Sequence, residues 1–146
     1  MHQMSRDEWI AFANDGSRTG KVGVLRASGA PHVTPVLFVV DGESGADDYV
    51  VFNTGKDSVK GKALRRDPRF SLCVDEERPP YSFVLIEAEA ELSDDVEAML
   101  PWSVRLASRY MGEARGREFG ERNAVPGEYL VRGRITKVVA HAGVAD

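Results

Sequence analysis

Apolar and polar positions along this chain follow strand-like patterns over most of its length, and helical spacing is confined to three segments. The first helix opens at a capping box, with Ser5 as N-cap and Glu8 three residues on, and runs to about Ala13. Its buried stripe is Trp9, Phe12 and Ala13. A first strand follows at Lys21–Ala27, closed by the turn signal Ser28-Gly29-Ala30-Pro31. His32–Asp41, rich in β-branched residues, reads as the second strand and Tyr49–Phe52 as the third. A short basic helix comes next and stops at Asp67-Pro68. Arg69–Asp75 is a fourth strand. Ser82–Leu92 alternates in its second half through Ile86, Ala88, Ala90 and Leu92, as a half-exposed fifth strand does. Ser93-Asp94-Asp95 caps a third helix, which Pro101 kinks and Gly112 ends. The Gly- and charge-rich stretch Gly112–Pro126 reads as a mobile loop, and Tyr129–Ala140 as the sixth strand.

Six strands joined mostly by short turns predict a mainly β, α+β chain: a six-stranded antiparallel barrel with a few flanking helices rather than a doubly wound sheet. At 146 residues this is one domain, spanning 1–146. Pro35 is awkward inside the second strand because it has no N–H for the ladder. It marks an edge, a bulge, or a place where something other than a neighbouring strand takes over.

Composition narrows the partners. The chain carries 19 Lys plus Arg against 23 Asp plus Glu, a formal net charge of −4, which argues against a general nucleic-acid binder. No apolar run approaches the roughly 20 residues needed to cross a membrane. The N-terminus has neither the basic nor the apolar segment of a signal peptide. The single cysteine, Cys73, lies in the apolar run Phe70–Val74 and is expected to be a small buried hydrophobe. A soluble protein of a reducing cytoplasm fits. His2, His32 and His141 are scattered and lack metal-ligand spacing.

Against that acidic background one segment stands out. Lys56–Arg69 holds six cations and two anions, a local +4. It follows the strand Tyr49–Phe52 through a Gly55-Lys56-Asp57-Ser58 turn. A strand, a turn with hydroxyls and lysines, and a helix start together form an anion cradle, since backbone N–H groups at a helix N-terminus lack partners and the helix dipole favours negative charge there. Lys56 and Lys60, four apart, can converge across one turn. The Gly-Lys-Ser/Thr ending of a P-loop is absent, which argues against a nucleoside triphosphatase. The competing account is a solvated helix with lysines on its wet face.

Three stretches in order resemble the pyridoxamine-phosphate-oxidase-like split barrels. His32-Val33-Thr34-Pro35-Val36-Leu37-Phe38-Val39-Val40-Asp41-Gly42 resembles their second-strand signature. Thr54–Lys60 with Leu64–Arg69 resembles their phosphate-binding turn and following helix, and Pro80–Val84 leading into Glu87–Ala90 their fifth strand. The resemblance covers Trp9 to Val139 and implies a six-stranded antiparallel split β-barrel. It further implies a homodimer binding flavin mononucleotide (FMN) or the deazaflavin coenzyme F-420 between subunits. The short length, the Asp-Pro helix stop and the Arg/Ala/Gly/Val-rich composition look more like the deazaflavin-dependent reductase branch. By matching positions, Thr54, Lys56, Ser58 and Lys60 would hold the phosphate, and Val33, Thr34, Pro35 and Val36 would lie along the ring system. Leu37 departs from the aromatic common there, Ala63 from an asparagine, and Thr136 from a nearby proline.

That resemblance implies hydride transfer from the reduced deazaflavin to a small conjugated organic substrate. FMN-dependent oxidase or flavin-reductase chemistry is the alternative, and a non-catalytic flavin-binding module a third. Such chemistry belongs to the cofactor. The sequence offers no paired carboxylates, nucleophile–base couple or metal set, and no catalytic side chain is assigned.

Overall fold

The computed structural model describes all of Met1–Asp146. Its elements are β1 (His2–Gln3), α1 (Arg6–Asn14), β2 (Gly20–Leu25), β3 (Pro31–Val36), β4 (Val39–Asp41), β5 (Tyr49–Gly55), α2 (Val59–Arg66), β6 (Arg69–Glu76), β7 (Ser82–Ser93), α3 (Val96–Met111), α4 (Glu113–Asn123) and β8 (Glu128–Ala142). The capping box forms as the sequence predicts: Glu8 N–H donates to Ser5 Oγ at 3.2 Å, and Ser5 N–H to Glu8 Oε1 at 3.1 Å.

The sheet is antiparallel, in the order β3-β2-β6-β7-β8-β5-β4, with β1 paired to β8. It has eight strands, not six, and its barrel is not closed. The main difference lies at His32–Asp41. That expected single strand divides into β3 and β4, which sit at opposite ends of the sheet order. Only Leu37 and Phe38 join them, a link spanning roughly 11 Å at most, so the sheet must curl until its two ends approach.

The seam stays open because both edges are blunted. Arg26 N–H donates to the Ala30 carbonyl, which sets the alternation of the β2–β3 hairpin. His32, Thr34 and Val36 then bond to β2, and the backbone of Pro31, Val33 and Pro35 faces the free edge, where proline has no donor to lose. Across the seam, the side chain of Asn14 takes the place of a strand. Its Nδ2 donates to the Val40 carbonyl at 2.9 Å, and its Oδ1 accepts the Val40 N–H at 2.8 Å. Both devices protect a strand edge from further pairing.

Alternation places Val22 and Val24, Leu72 and Val74, and Val84 and Ile86 inside the curl, with Phe52 edge-to-face on Phe70 at 5.6 Å. Burying each of these side chains contributes about 1.5–3 kcal/mol, which dominates the choice of register. β5 and β4 are apolar without alternation because both of their faces are covered. Val50 and Val40 join the interior, while Val51 and Val39 pack with Met99 and Leu106 of α3. Cys73 is half-buried on the outer face rather than in the core, and burial raises its thiol pKa.

The segment Gly112–Pro126, expected as a mobile loop, is mostly the helix α4. Its glycines serve close packing. A Cβ at Gly120 would lie 2.6 Å from Val104 Cγ2, and one at Gly116 would collide with Ser108. Gly112, at φ +88°, is the hinge between α3 and α4. Gly120→Ala is therefore expected to cost about 1–2 kcal/mol, overpacking outweighing the gain in helix propensity. A lowered urea midpoint at unchanged m-value would show it.

Candidate functional site: a cation-bearing cavity beside the seam

Where β5 runs out, its last residues meet α2. Ser58 is the N-cap of α2: its Oγ accepts the Gly61 N–H at 3.0 Å and donates to the Gly55 carbonyl at 2.7 Å. With that hydrogen committed, the 3.0 Å bond between Thr54 and Ser58 has the threonine as donor. Gly61 is needed because a Cβ there would lie 2.7 Å from the Lys56 carbonyl and run into that of Gly55. The turn and the first helical turn are thus held in direct backbone contact.

Beside this cradle lies a cavity of about 420 Å³, within the range of small-molecule sites. Asn53, Thr54 and Gly55 of β5 form its floor, and Pro35, Val36 and Leu37 its seam-side wall. Lys60 reaches it from α2, and Leu106, Ala107 and Met111 face it from α3. Phe119 and Asn123 of α4 and Glu128 of β8 complete it. Leu37 and Met111 are 46% and 44% exposed, so the mouth is apolar and open on that side.

The eight residues singled out in the sequence take different places. Pro35, Val36, Thr54 and Lys60 line the cavity. Thr34 stands behind them, accepting a 2.8 Å hydrogen bond from Lys60 Nζ. Ser58 organises the turn. Val33 is 65% exposed on β3 and lies outside the lining. Lys56 precedes the helix and turns away from Lys60. Its Nζ donates to Asp94 Oδ2 at 2.8 Å and lies 5.6 Å from the centre of the Tyr129 ring. That bond raises the Lys56 pKa and lowers that of Asp94. The two lysines are therefore not brought together in this structure.

Lys60 makes no ion pair; its hydrogen bond to the Thr34 hydroxyl leaves its charge uncompensated beside the cavity. Of the other cations of the segment, only Lys56 and Arg69 are paired with carboxylates. Arg65 donates to Tyr129 Oη at 2.8 Å, Arg66 to the Leu25 carbonyl at 3.0 Å, and Arg69 pairs with Asp67. Lys62 is exposed and makes no side-chain bond.

Several lining residues were not singled out in the sequence. Asn53 donates through Nδ2 to Ser103 Oγ at 2.8 Å, while its buried Oδ1 has no partner. The α3 helix is predicted but its packing partner is not, because Gly116 and Gly120 of α4 resemble loop signals. Their four-residue spacing is the small-residue stripe of a closely packed helix pair. Glu128 gave no sequence signal, since its place depends on the register of β8 on β5.

The geometry defines a curled antiparallel sheet with a cation-bearing, half-apolar cavity at its open seam. The chain belongs to the pyridoxamine 5'-phosphate oxidase family, whose model matches residues 6–141. No curated protein matches it in sequence. Among solved structures it is similar to a conserved hypothetical protein from Mycobacterium tuberculosis, at 25% identity over 94% of this chain and 84% of that one, with a TM-score of 0.78. It shares its fold with an F-420 reductase at 17% identity, covering 88% of this chain and 94% of that one, TM-score 0.66. A FAD-binding protein from Mesorhizobium loti shares it at 20% identity over 95% of each chain, TM-score 0.66. A flavin-type cofactor and oxidoreductase-type chemistry fit this family. No helix is long and apolar enough to cross a membrane.

Proposed function

We propose that this protein is an oxidoreductase that uses the reduced deazaflavin coenzyme F-420 to reduce a small conjugated organic substrate, working as a homodimer. The observation that carries the reading is Lys60: an ammonium without a carboxylate partner, beside Thr54, at the end of a cavity of cofactor size. A phosphate there gains charge-assisted hydrogen bonds from Lys60, whose ammonium has three donors and spends one on Thr34. A donor group on the bound cofactor would also pair the orphaned Oδ1 of Asn53. When bound, the reduced deazaflavin supplies the hydride. The protein's part is to hold the phosphate and to line the ring's surroundings with Pro35, Val36 and Leu37. Leu106, Ala107 and Met111 keep water from the opposite side.

The exposed cations Lys62, Arg65 and Arg66 on α2 suit the anionic glutamate tail of the deazaflavin. The family's F-420 reductase neighbour is consistent with that choice, and FMN is the alternative cofactor. Exposed Val33, Leu37 and Met111 beside the open cavity are what a second copy would cover.

Paired fluorescence titrations with FMN and oxidised F-420 test the cofactor. Selective F-420 binding followed by turnover with reduced F-420 and conjugated substrates is expected. Selective FMN binding would move the protein to flavin-dependent oxidase or reductase chemistry, and tight binding without turnover to a carrier role. Sedimentation showing only a 16.0 kDa species at micromolar concentration would remove the dimer.

A further inference from the structure

Glu128 is the one acidic residue lining the cavity, and its carboxylate makes no hydrogen bond or ion pair. It stands against the cradle itself. Glu128 is the register partner of Gly55, and the Lys56 N–H donates to the neighbouring Gly127 carbonyl at 2.9 Å. Directly opposed residues of an antiparallel pair have Cα atoms about 4.5–5.5 Å apart, and Gly55 has no side chain to stand between. The charged groups around it are few. Lys60 shares the cavity and is bonded to Thr34. Lys56 is held by Asp94, and Tyr129, next in the chain, accepts from Arg65. Burial raises the Glu128 pKa, and no neighbouring charge offsets it.

Resting on the cofactor reading above, we infer that Glu128 is a charge filter for the phosphate cradle, favouring a phosphate diester with one negative charge over a phosphate monoester with two. A carboxylate beside Thr54 and Lys60 repels an incoming anion in proportion to its charge. Lys60 supplies the attraction common to both ligands, and Glu128 supplies the difference. A deazaflavin coenzyme, whose phosphate is a diester, meets this filter once. FMN meets it twice above the second phosphate pKa of about 6.

The test compares the unaltered protein with Glu128→Gln, which keeps shape and removes charge. Riboflavin, FMN and the monomethyl phosphate ester of FMN are titrated, with oxidised F-420 as a second diester, about a pH unit above the phosphate pKa. Glu128→Gln is expected to tighten FMN roughly tenfold and each diester by about threefold, the square root, because one charge feels half the repulsion of two. Riboflavin, without phosphate, is expected not to change, which shows that the cavity is intact. An equal change for FMN and its monomethyl ester overturns the filter, as does no gain for FMN. Binding of neither FMN nor F-420 to the unaltered protein overturns the cofactor reading, and this inference with it.

Discussion

Arg109→Met is expected to lower the unfolding free energy by about 2–4 kcal/mol. The Arg109 guanidinium donates to the Ala13 carbonyl at 2.8 Å, Gly16 at 3.0 Å and Phe38 at 2.5 Å. It also lies 4.7 Å from the centre of the Phe38 ring and 4.9 Å from that of Tyr110. No carboxylate forms an ion pair with it; carbonyl dipoles and ring faces surround it, and burial lowers its pKa. Methionine keeps the stem but leaves those carbonyls without their donor. Lysine is expected to recover less than half of the loss, since a single ammonium cannot span the acceptors that a planar fork reaches. Urea denaturation of the three forms checks this, and an unchanged midpoint for Arg109→Met would disprove it.

The same substitution reaches the cavity through Phe38. Tyr110 Oη accepts the Phe38 N–H at 3.2 Å and lies 2.8 Å from the Arg18 carbonyl, to which it donates. Arg109 and Tyr110 thus satisfy the backbone of the link between β3 and β4, where neither strand can. Loosening that link frees Leu37, one wall of the cavity, so cofactor affinity is expected to fall along with stability. A variant destabilised away from the cavity, such as Ile86→Val in the sheet interior, serves as the comparison for a general loss of fold.

The division of His32–Asp41 into two strands could not be read locally. Val36-Leu37-Phe38-Val39-Val40 is a continuous apolar run, and periodicity cannot find a break in a segment that is covered on both faces. What ends β3 is a residue 71 positions away, Arg109, bonded to the Phe38 carbonyl. Local chemistry was legible wherever its partners were close in sequence. The capping box at Ser5–Glu8 and the stop at Asp67-Pro68 each use groups within three residues. Thr54 and Lys60 line the cavity together because one short stretch of chain, the end of β5 and the start of α2, carries both. Asn53, Glu128 and the α3 wall were not legible, because the β5–β8 register and the α3–α4 packing bring them to the cavity. Convergence of Lys56 and Lys60 across one turn requires both to lie on the helix. The helix begins after Ser58, and Asp94, 38 positions on, draws Lys56 aside.

Lys60→Ala is expected to weaken binding of the phosphorylated cofactor by about 1.5–3 kcal/mol, a roughly ten- to hundredfold rise in Kd. Binding of the phosphate-free ring system should change little. Lys56→Ala is expected to have the smaller effect, because the Lys56 ammonium is already committed to Asp94 and only its long-range field reaches the cradle. The order matters more than the size. If both lysines held the phosphate, their substitutions would cost alike, and each would flatten the salt dependence of binding by a similar amount. If only Lys60 does, its removal alone flattens that dependence. Thr34→Val separates position from charge: it removes the acceptor of the 2.8 Å bond that aims Lys60 while keeping the ammonium. A loss with Thr34→Val smaller than with Lys60→Ala, at unchanged salt dependence, would identify Thr34 as the group that positions Lys60. Equal and negligible losses for all three variants would return α2 to a solvated basic helix.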